Sequence, residues 1–119
     1  MGHLTEDERS ELLAEVAARR ARTAERAAAL ARDFDDIVTA SADAVRDDEH
    51  DPEGATIAFE RAQVAALLAD ARAQLEALRL AGDRLAGDDA GRCEVCREPI
   101  AFERLLARPA STRCVTCAS

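Results

Sequence analysis

The residues with the clearest chemical meaning are four cysteines near the end of the 119-residue chain. They form two pairs, each with two residues between its cysteines, and 17 residues separate the pairs. In each pair this spacing lets one tight turn present both sulfurs to a single ion. Two such turns supply the four sulfurs of a tetrahedral zinc site. The predicted ligands are Cys93, Cys96, Cys114 and Cys117. The sequence therefore predicts one structural zinc ion per chain.

This predicted zinc site leaves no coordination position for catalysis. Four protein ligands complete a tetrahedral zinc ion, whereas a catalytic zinc keeps one position open for water. The two histidines, His3 and His50, lie far from the cysteines in sequence, and no nucleophile–base pair stands out. A redox role for either C-x-x-C pair would require a surrounding βαβ pattern, which is missing. We therefore expect a binding protein rather than an enzyme.

The segment around the cysteines also contains apolar and basic residues. A small core between the two pairs is expected from Ile100, Phe102, Leu105 and Leu106. Five arginines are expected to surround the sulfurs and keep the thiolates charged: Arg92, Arg97, Arg104, Arg108 and Arg113. Residues 87–119 are thus predicted to form a small module that zinc holds together.

The first part of the chain predicts a long helix. Residues 4–46 contain no Gly or Pro, and Thr5 and Glu8 match a capping box at the start. A mostly apolar stripe with steps of three or four residues marks one helical face. It comprises Leu12, Val16, Arg20, Thr23, Ala27, Leu30, Phe34, Ile37, Ser41 and Val45. The predicted helix has about 40 residues, or roughly 60 Å.

A second helix is predicted after a short polar segment. Residues 47–54 (DDEHDPEG) break the first pattern, and Thr56 is expected to cap the next helix. Its stripe recurs at heptad steps and comprises Ile57, Val64, Ala71, Leu78 and Leu85, flanked by Leu67, Leu68 and Leu75. The pattern fades near residues 82–87, which predicts a helix of roughly 30 residues.

Two helices with one apolar seam each and a short connection should fold back antiparallel, because that arrangement buries both seams within one chain. We therefore predict a mainly all-α fold. A long antiparallel two-helix coiled-coil hairpin spans residues 1–86, with its tip near residues 47–54, and a four-cysteine zinc finger spans residues 87–119. A monomer is favoured. The alternative is that each helix pairs with another chain in an oligomeric bundle.

Acidic residues are concentrated around the predicted tip. Residues 33–53 hold nine carboxylates and one arginine, a net charge of −8 that equals the charge of the whole chain. Such a patch repels nucleic acid and favours basic protein surfaces or metal ions, although many acidic runs are simply solvated loops. Only 3% of the residues are aromatic, so few side chains could stack on bases. We expect a protein partner and no direct nucleic-acid binding.

The N-terminal sequence bears on location. It is acidic and amphipathic, without the basic and apolar regions of a signal peptide. No stretch approaches the ~18 uninterrupted apolar residues that a membrane-spanning helix needs. A cytoplasmic location is therefore expected, where thiols stay reduced and available for metal.

The finger also carries a more specific pattern. Its elements are Gly91-x-Cys93-x-x-Cys96, then Ile100, then Arg104-Leu105-x-Ala107-x-Pro109, then Cys114-x-x-Cys117. Together with the preceding hairpin, this pattern resembles the DksA/TraR family of bacterial transcription regulators. The resemblance implies a regulator that binds RNA polymerase without contacting DNA, by inserting its hairpin into the secondary channel of the enzyme.

The resemblance also implies a role for the tip. Members of the family carry an Asp-x-x-Asp-x-Ala motif there. In this chain Asp48 and Asp51 supply the two aspartates, Pro52 follows the second, and Glu53 stands where the alanine is expected. The implied partner-binding residues are Asp48, Asp51 and Glu53. The alternative function is an adaptor that binds another basic protein through the same tip, with the zinc finger only stabilising the chain.

Overall fold

A computed structural model of the chain describes residues 4–44 and 52–118. These residues form four helices, which are α1 (Glu6–Ala44), α2 (Pro52–Ala86), α3 (Phe102–Ala107) and α4 (Val115–Ala118). No strand occurs in these two ranges, where an isolated β-bridge pairs Arg92 with Pro99. The predicted all-α fold, two long packed helices followed by a small finger, is confirmed.

Helix α1 begins where the capping box predicts. The N–H of Glu8 donates to Oγ1 of Thr5 and the N–H of Thr5 donates to Oε1 of Glu8, both at 3.0 Å. These bonds satisfy two of the backbone donors that have no partner at the start of a helix. The helix then continues for 39 residues without a glycine or proline. Both the start and the length agree with the prediction.

Apart from Val45, which lies outside the described residues, the buried face of α1 follows the predicted stripe with one exception. Leu12, Val16, Thr23 and Ala27 are buried, and Leu30, Phe34, Ile37 and Ser41 are half-buried. Arg20 is exposed, and Arg19 is half-buried in its place. The prediction that Arg20 belongs to the buried face is therefore wrong. The half-buried arginine is Arg19, because its side chain lies over the finger, where its Nη2 donates to the carbonyl of Leu106 at 3.2 Å.

Helix α2 begins earlier than predicted. Its first residue is Pro52, so Thr56 lies inside the helix and does not cap it. Proline is compatible with the first turn because the N–H that it lacks would have no intrahelical partner there. The helix has 35 residues and ends at Ala86, within the predicted range.

The α2 seam is also largely as predicted. Leu68, Ala71, Leu78 and Leu85 are buried, and Ile57, Val64 and Leu75 are half-buried. Leu67, which was expected to flank the seam, is 50% exposed. Ala81 is buried and was not predicted. None of the helices in residues 4–44 and 52–118 is long and apolar enough to cross a membrane.

The chain comprises two compact units, and each takes a segment from both long helices. Unit 1 consists of residues 1–22 and 75–119, and unit 2 consists of residues 23–74. The sequence predicts a domain boundary between residues 86 and 87. The two units do not test whether the parts on either side of it fold independently, so this boundary stays a prediction.

In unit 1 the helices run antiparallel and share one core with the finger. Nη1 of Arg9 donates to the carbonyl of Leu85 at 2.6 Å, and the Val16 side chain faces Gly82. The buried core residues are Leu12, Val16, Leu78, Ala81, Leu85, Ala90, Cys93, Ile100 and Leu105. The core therefore continues from the long helices into the residues that surround the cysteines.

In unit 2 the helices meet through a narrow seam. Its buried residues, in the part of the unit that the structure describes, are Thr23, Ala27, Leu68 and Ala71. A hydrogen bond crosses between the helices, from Nη2 of Arg26 to Oε1 of Gln74 at 2.8 Å. The small side chains allow close helix packing but bury little apolar area.

Candidate metal centre

The four cysteines predicted as ligands lie together. The sulfurs of Cys93, Cys96, Cys114 and Cys117 are all within 4.8 Å of one another. The Cys96 and Cys114 sulfurs are 3.8 Å apart. A tetrahedral zinc ion with bonds of about 2.3 Å has sulfur–sulfur edges of about 3.8 Å. The cluster therefore has the composition and size typical of a structural zinc site.

Backbone hydrogen bonds shape the first cysteine turn. The N–H of Cys93 donates to the carbonyl of Glu98 at 2.9 Å, and the N–H of Arg97 donates to the carbonyl of Cys93 at 3.0 Å. Arg97 has a φ of 68°, in the left-handed region that favours glycine. This residue reverses the chain directly after Cys96, so that both sulfurs of the pair lie on one side of the turn.

The second cysteine pair is positioned by the short helix α4. The N–H of Ala118 donates to the carbonyl of Cys114 at 2.9 Å, which closes one helical turn. Residues three apart on a helix lie on the same side. Cys114 and Cys117 can therefore direct their sulfurs to the same ion.

Glu94 joins the two cysteine turns. Its N–H donates to the carbonyl of Thr112 at 2.8 Å. Its carboxylate accepts a hydrogen bond from the Thr112 hydroxyl at 2.9 Å and another from Nε of Arg113 at 3.1 Å. The bond from Thr112, followed by that from Arg113, lowers the pKa of Glu94. The sequence does not predict this role of Glu94, since contacts between positions 94 and 112 give no local pattern.

The protonation of the thiols fits a divalent cation. Backbone N–H groups, that of Cys96 above all, lower the pKa of Cys93 to about 6. The Cys114 side chain is the main cause that raises the pKa of Cys117 to about 12. Thiolates held this close repel one another, so one cation is needed to keep all four deprotonated. Zinc bound by the four sulfurs would supply that charge and tie the two turns together.

The arginines of the finger do not act as predicted. Arg97 and Arg113 form ion pairs with nearby carboxylates at 2.9 and 3.1 Å. Nε of Arg104 donates to the carbonyl of Arg113 at 3.0 Å. The lowered pKa of Cys93 comes from backbone N–H groups instead. For Arg97, Arg104 and Arg113, the prediction that they keep the thiolates charged is therefore wrong, because their guanidinium groups bind carboxylates and a carbonyl.

The predicted small core of the finger is confirmed, but it is not separate from the helices. Cys93 has no exposed surface, and Ile100 and Leu105 are 4% and 3% exposed. All three lie in the same cluster as Leu12 and Val16 of α1. One of the four zinc ligands is thus buried inside the core of unit 1.

Two arginines from the long helices also hold the finger. Nη2 of Arg19 donates to the carbonyl of Leu106 at 3.2 Å, and Nη2 of Arg84 donates to the carbonyl of Ala110 at 3.3 Å. Both carbonyls belong to the segment between the cysteine pairs. The sequence predicts neither contact, because no spacing rule connects an arginine to a carbonyl far along the chain.

The residues predicted to bind a partner are not tested by this geometry. Asp48 and Asp51 lie outside the described residues. Glu53 belongs to the first turn of α2, and its side chain is also outside the described part. On α1, Asp33 and Asp36 are exposed. The roles of the three tip residues stay predictions.

Comparison with known proteins agrees with this architecture. Residues 88–119 match the family model described as the prokaryotic dksA/traR C4-type zinc finger. No curated protein matches the chain in sequence. The solved structure of the transcription factor DksA2 from Pseudomonas aeruginosa is similar with a TM-score of 0.79 and 23% identity, over 95% of this chain and 81% of that chain. The finger is therefore of the dksA/traR C4 type, and the chain has the DksA2 fold.

Proposed function

We propose that this chain is a DksA-like transcription regulator that binds RNA polymerase through its helical hairpin, in the secondary channel of the enzyme. The observation that carries the proposal is the fold similarity to the transcription factor DksA2, which extends over 95% of this chain. The match of residues 88–119 to the dksA/traR finger supports it independently. On this proposal the protein is a regulator rather than an enzyme, and it acts as a monomer in the cytoplasm.

The charge distribution supports a protein partner. Unit 2 contains five arginines and twelve acidic residues, a formal charge of −7, whereas unit 1 contains eleven arginines and twelve acidic residues, a charge of −1. A surface this negative repels nucleic acid and attracts basic protein surfaces. We assign the functional contact of the tip to Asp48, Asp51 and Glu53.

The zinc finger has a structural role in this proposal. Its core is continuous with that of the long helices, and Arg19 and Arg84 bind its carbonyls. Zinc would therefore fix the finger against the helices and would take no part in a reaction. The polymerase contacts of the hairpin and finger would provide binding, and the acidic tip would alter transcription.

The test uses in vitro transcription and a direct binding assay with bacterial RNA polymerase. The variant Asp48→Asn with Asp51→Asn should retain zinc and helicity and still bind polymerase, but its effect on transcription should be lost. A matched control is Asp33→Asn with Asp36→Asn, since both residues are exposed and the charge change is identical. This control should regulate like the wild type.

The outcomes separate the competing functions. Unaltered regulation by the tip variant would remove the assigned role of Asp48 and Asp51. Equal loss in both double variants would show that only the total charge matters. If the wild type does not bind polymerase, the proposal is wrong, and recovery of another basic protein through the tip would support the adaptor function.

A further inference from the structure

The four cysteines of the metal centre differ in their exposure. Cys93 has no exposed surface, Cys114 and Cys117 are half-buried, and Cys96 is exposed. A competing ligand in solvent can therefore approach Cys96 directly. It can reach Cys93 only after the chain around this residue moves, so Cys93 is the cysteine whose release requires the structure to open.

The chain that leads to Cys93 is held where it leaves α2. Nη1 of Arg9, in the first turn of α1, donates to the carbonyl of Leu85 at 2.6 Å and to that of Gly87 at 3.4 Å. Helix α2 ends at Ala86, and the last carbonyls of a helix have no partner within it. A positive charge is also favourable at this end of a helix. Arg9 therefore fixes the start of the segment that carries Cys93.

A second contact from the same end of α1 lies closer to Cys93. A Cβ added at Gly91 would lie 3.1 Å from Cγ and from Cδ1 of Leu4, so the Leu4 side chain covers this glycine closely. Ala90, the preceding residue, has no exposed surface. Leu4 packs against the same buried cluster that contains Ala90 and Cys93. The segment before Cys93 is thus covered by a residue that precedes α1.

The second cysteine pair is held in a different way. Arg19 donates to the carbonyl of Leu106, and Arg84 donates to the carbonyl of Ala110. These two arginines lie on different helices and bind the same segment, so the loss of either contact leaves the other in place. The contacts of Leu4 and Arg9 both come from the start of α1.

We call Leu4 and Arg9 the N-terminal clamp. We propose that this clamp holds residues 85–91 in place, keeps the Cys93 sulfur at the metal centre and thereby controls the rate at which the finger loses zinc. Ligand exchange starts at the exposed Cys96 and is completed only when the clamp opens. This inference goes beyond the proposed function and does not depend on the identity of the partner.

The first test measures zinc release from the full chain into an excess of chelator. In the wild type the rate should reach a plateau as the chelator concentration rises, because local opening of the clamp limits release. Arg9→Met keeps the apolar stem of the side chain and removes its donors. It should raise the plateau by about ten-fold or more, since hydrogen bonds from a charged donor are among the stronger ones. Leu4→Ala should raise it by roughly a few-fold, because less apolar area is buried.

Two controls separate the clamp from general effects on the chain. Arg79 is exposed on α2 of unit 1 and pairs with Glu76 and Asp83 of its own helix. Arg79→Met should stay within about two-fold of the wild-type plateau, since exposed ion pairs contribute little. Leu68 is buried in unit 2, so Leu68→Ala destabilises the chain without touching the clamp. It should also leave the plateau nearly unchanged.

Hydrogen exchange of the zinc-loaded variants shows which part of the finger opens. The N–H groups of Arg92 and Cys93 donate to the carbonyls of Asp89 and Glu98, and that of Ala118 donates to the carbonyl of Cys114. Both clamp variants should speed exchange at Arg92 and Cys93 and leave Ala118 unchanged. If Arg9→Met fails to take up zinc, Leu4→Ala decides the question alone.

Three results would overturn the inference. The first is a release rate that rises in proportion to the chelator concentration without a plateau, since attack on the exposed sulfur would then be limiting. The second is a plateau that the clamp variants leave unchanged, or that Leu68→Ala raises as much as they do. The third is equal acceleration of exchange at Cys93 and Ala118, which would mean that the clamp variants loosen the whole finger.

Discussion

The two units of the chain use the same pair of helices in different ways. In its described part, unit 1 has a core of nine buried residues, and the largest fully buried side chains there are Leu12 and Cys93. In the described part of unit 2 the buried residues include two alanines, a threonine and Leu68. The finger accounts for much of this difference, since Ile100, Leu105 and one cysteine ligand complete the unit 1 core.

The units also differ in charge. Unit 1 is close to neutral by formal charge, at −1, and several of its charged side chains bind within the unit. Unit 2 carries −7 and has the thinner seam. Self-repulsion opposes compact packing. On the proposed function, stability is concentrated in unit 1 and partner recognition in unit 2.

Zinc removal should give the largest effect. Structural zinc contributes on the order of 10 kcal/mol in small zinc modules, so a strong chelator or Cys93→Ser should disorder the finger and lower the melting temperature markedly. Most of the helical signal in circular dichroism should remain, because the α1 and α2 seams contain no zinc ligand. Metal analysis should give one zinc per chain in the untreated protein.

Two results would contradict these expectations for zinc removal. Collapse of nearly all helical signal would show that unit 2 depends on the finger. A stoichiometry of zero or two zinc ions per chain would instead contradict the assigned site.

A pair of leucine truncations tests the core directly. Leu12→Ala should destabilise the chain by about 3 kcal/mol, because it opens a cavity at a fully buried site. Leu30→Ala removes the same atoms from a half-buried seam position in unit 2 and should cost about 1 kcal/mol. Chemical denaturation measures both values, and chelator competition should show weaker zinc binding only in Leu12→Ala.

Equal costs for the two leucine variants would remove the distinction between the units. Unchanged zinc affinity in Leu12→Ala would show that the shared core does not couple the helices to the metal site.

The sequence predicts the parts of this structure that depend on local chemistry. Two C-x-x-C pairs bring four sulfurs together because each turn is short, and the Thr5–Glu8 capping box fixes the start of α1 within one turn. The period of the apolar stripe also predicts most of both seams. In each case the determining residues lie close together in sequence or repeat at a helical period.

The predictions from sequence are wrong mainly where contacts between residues far apart in the chain determine the structure. Arg19 rather than Arg20 is half-buried, because its guanidinium reaches the carbonyl of Leu106 in the finger. Leu67 could flank the seam on either side by periodicity, and the packing leaves it half exposed. The break over residues 47–54 predicts too late a start for α2, because the first helical turn accepts the proline at position 52. The bridging role of Glu94 likewise depends on a contact with position 112.

Two glycines offer a smaller test of opposite sign. Gly91 in unit 1 has a φ of +77°, and an added Cβ would lie 3.1 Å from the Leu4 side chain. Gly91→Ala should therefore destabilise the chain by about 1–2 kcal/mol, since L-residues are strained in this region. Gly54 in α2 has no atom near the position of an added Cβ. Gly54→Ala should stabilise the chain by up to about 1 kcal/mol, because alanine favours the helix. Thermal unfolding of the two variants should show shifts in opposite directions.

The smallest expected difference comes from two arginines on α1. Arg19 in unit 1 donates to the carbonyl of Leu106 at 3.2 Å and to the carboxylate of Glu15 at 2.6 Å. Arg26 in unit 2 donates to the exposed side chain of Gln74 at 2.8 Å.

Arg19→Ala should cost about 1 kcal/mol, because it leaves a partly buried carbonyl without its donor. Arg26→Ala should cost less than about 0.5 kcal/mol, since water replaces an exposed hydrogen bond almost completely. Denaturation at low and high salt separates the two contacts of Arg19, because salt screens its pair with Glu15 but has little effect on its bond to the carbonyl. Most of the Arg19→Ala loss should therefore persist at high salt. If it disappears, the ion pair on α1 is the main contribution, and the helix-to-finger bond does not distinguish unit 1 from unit 2.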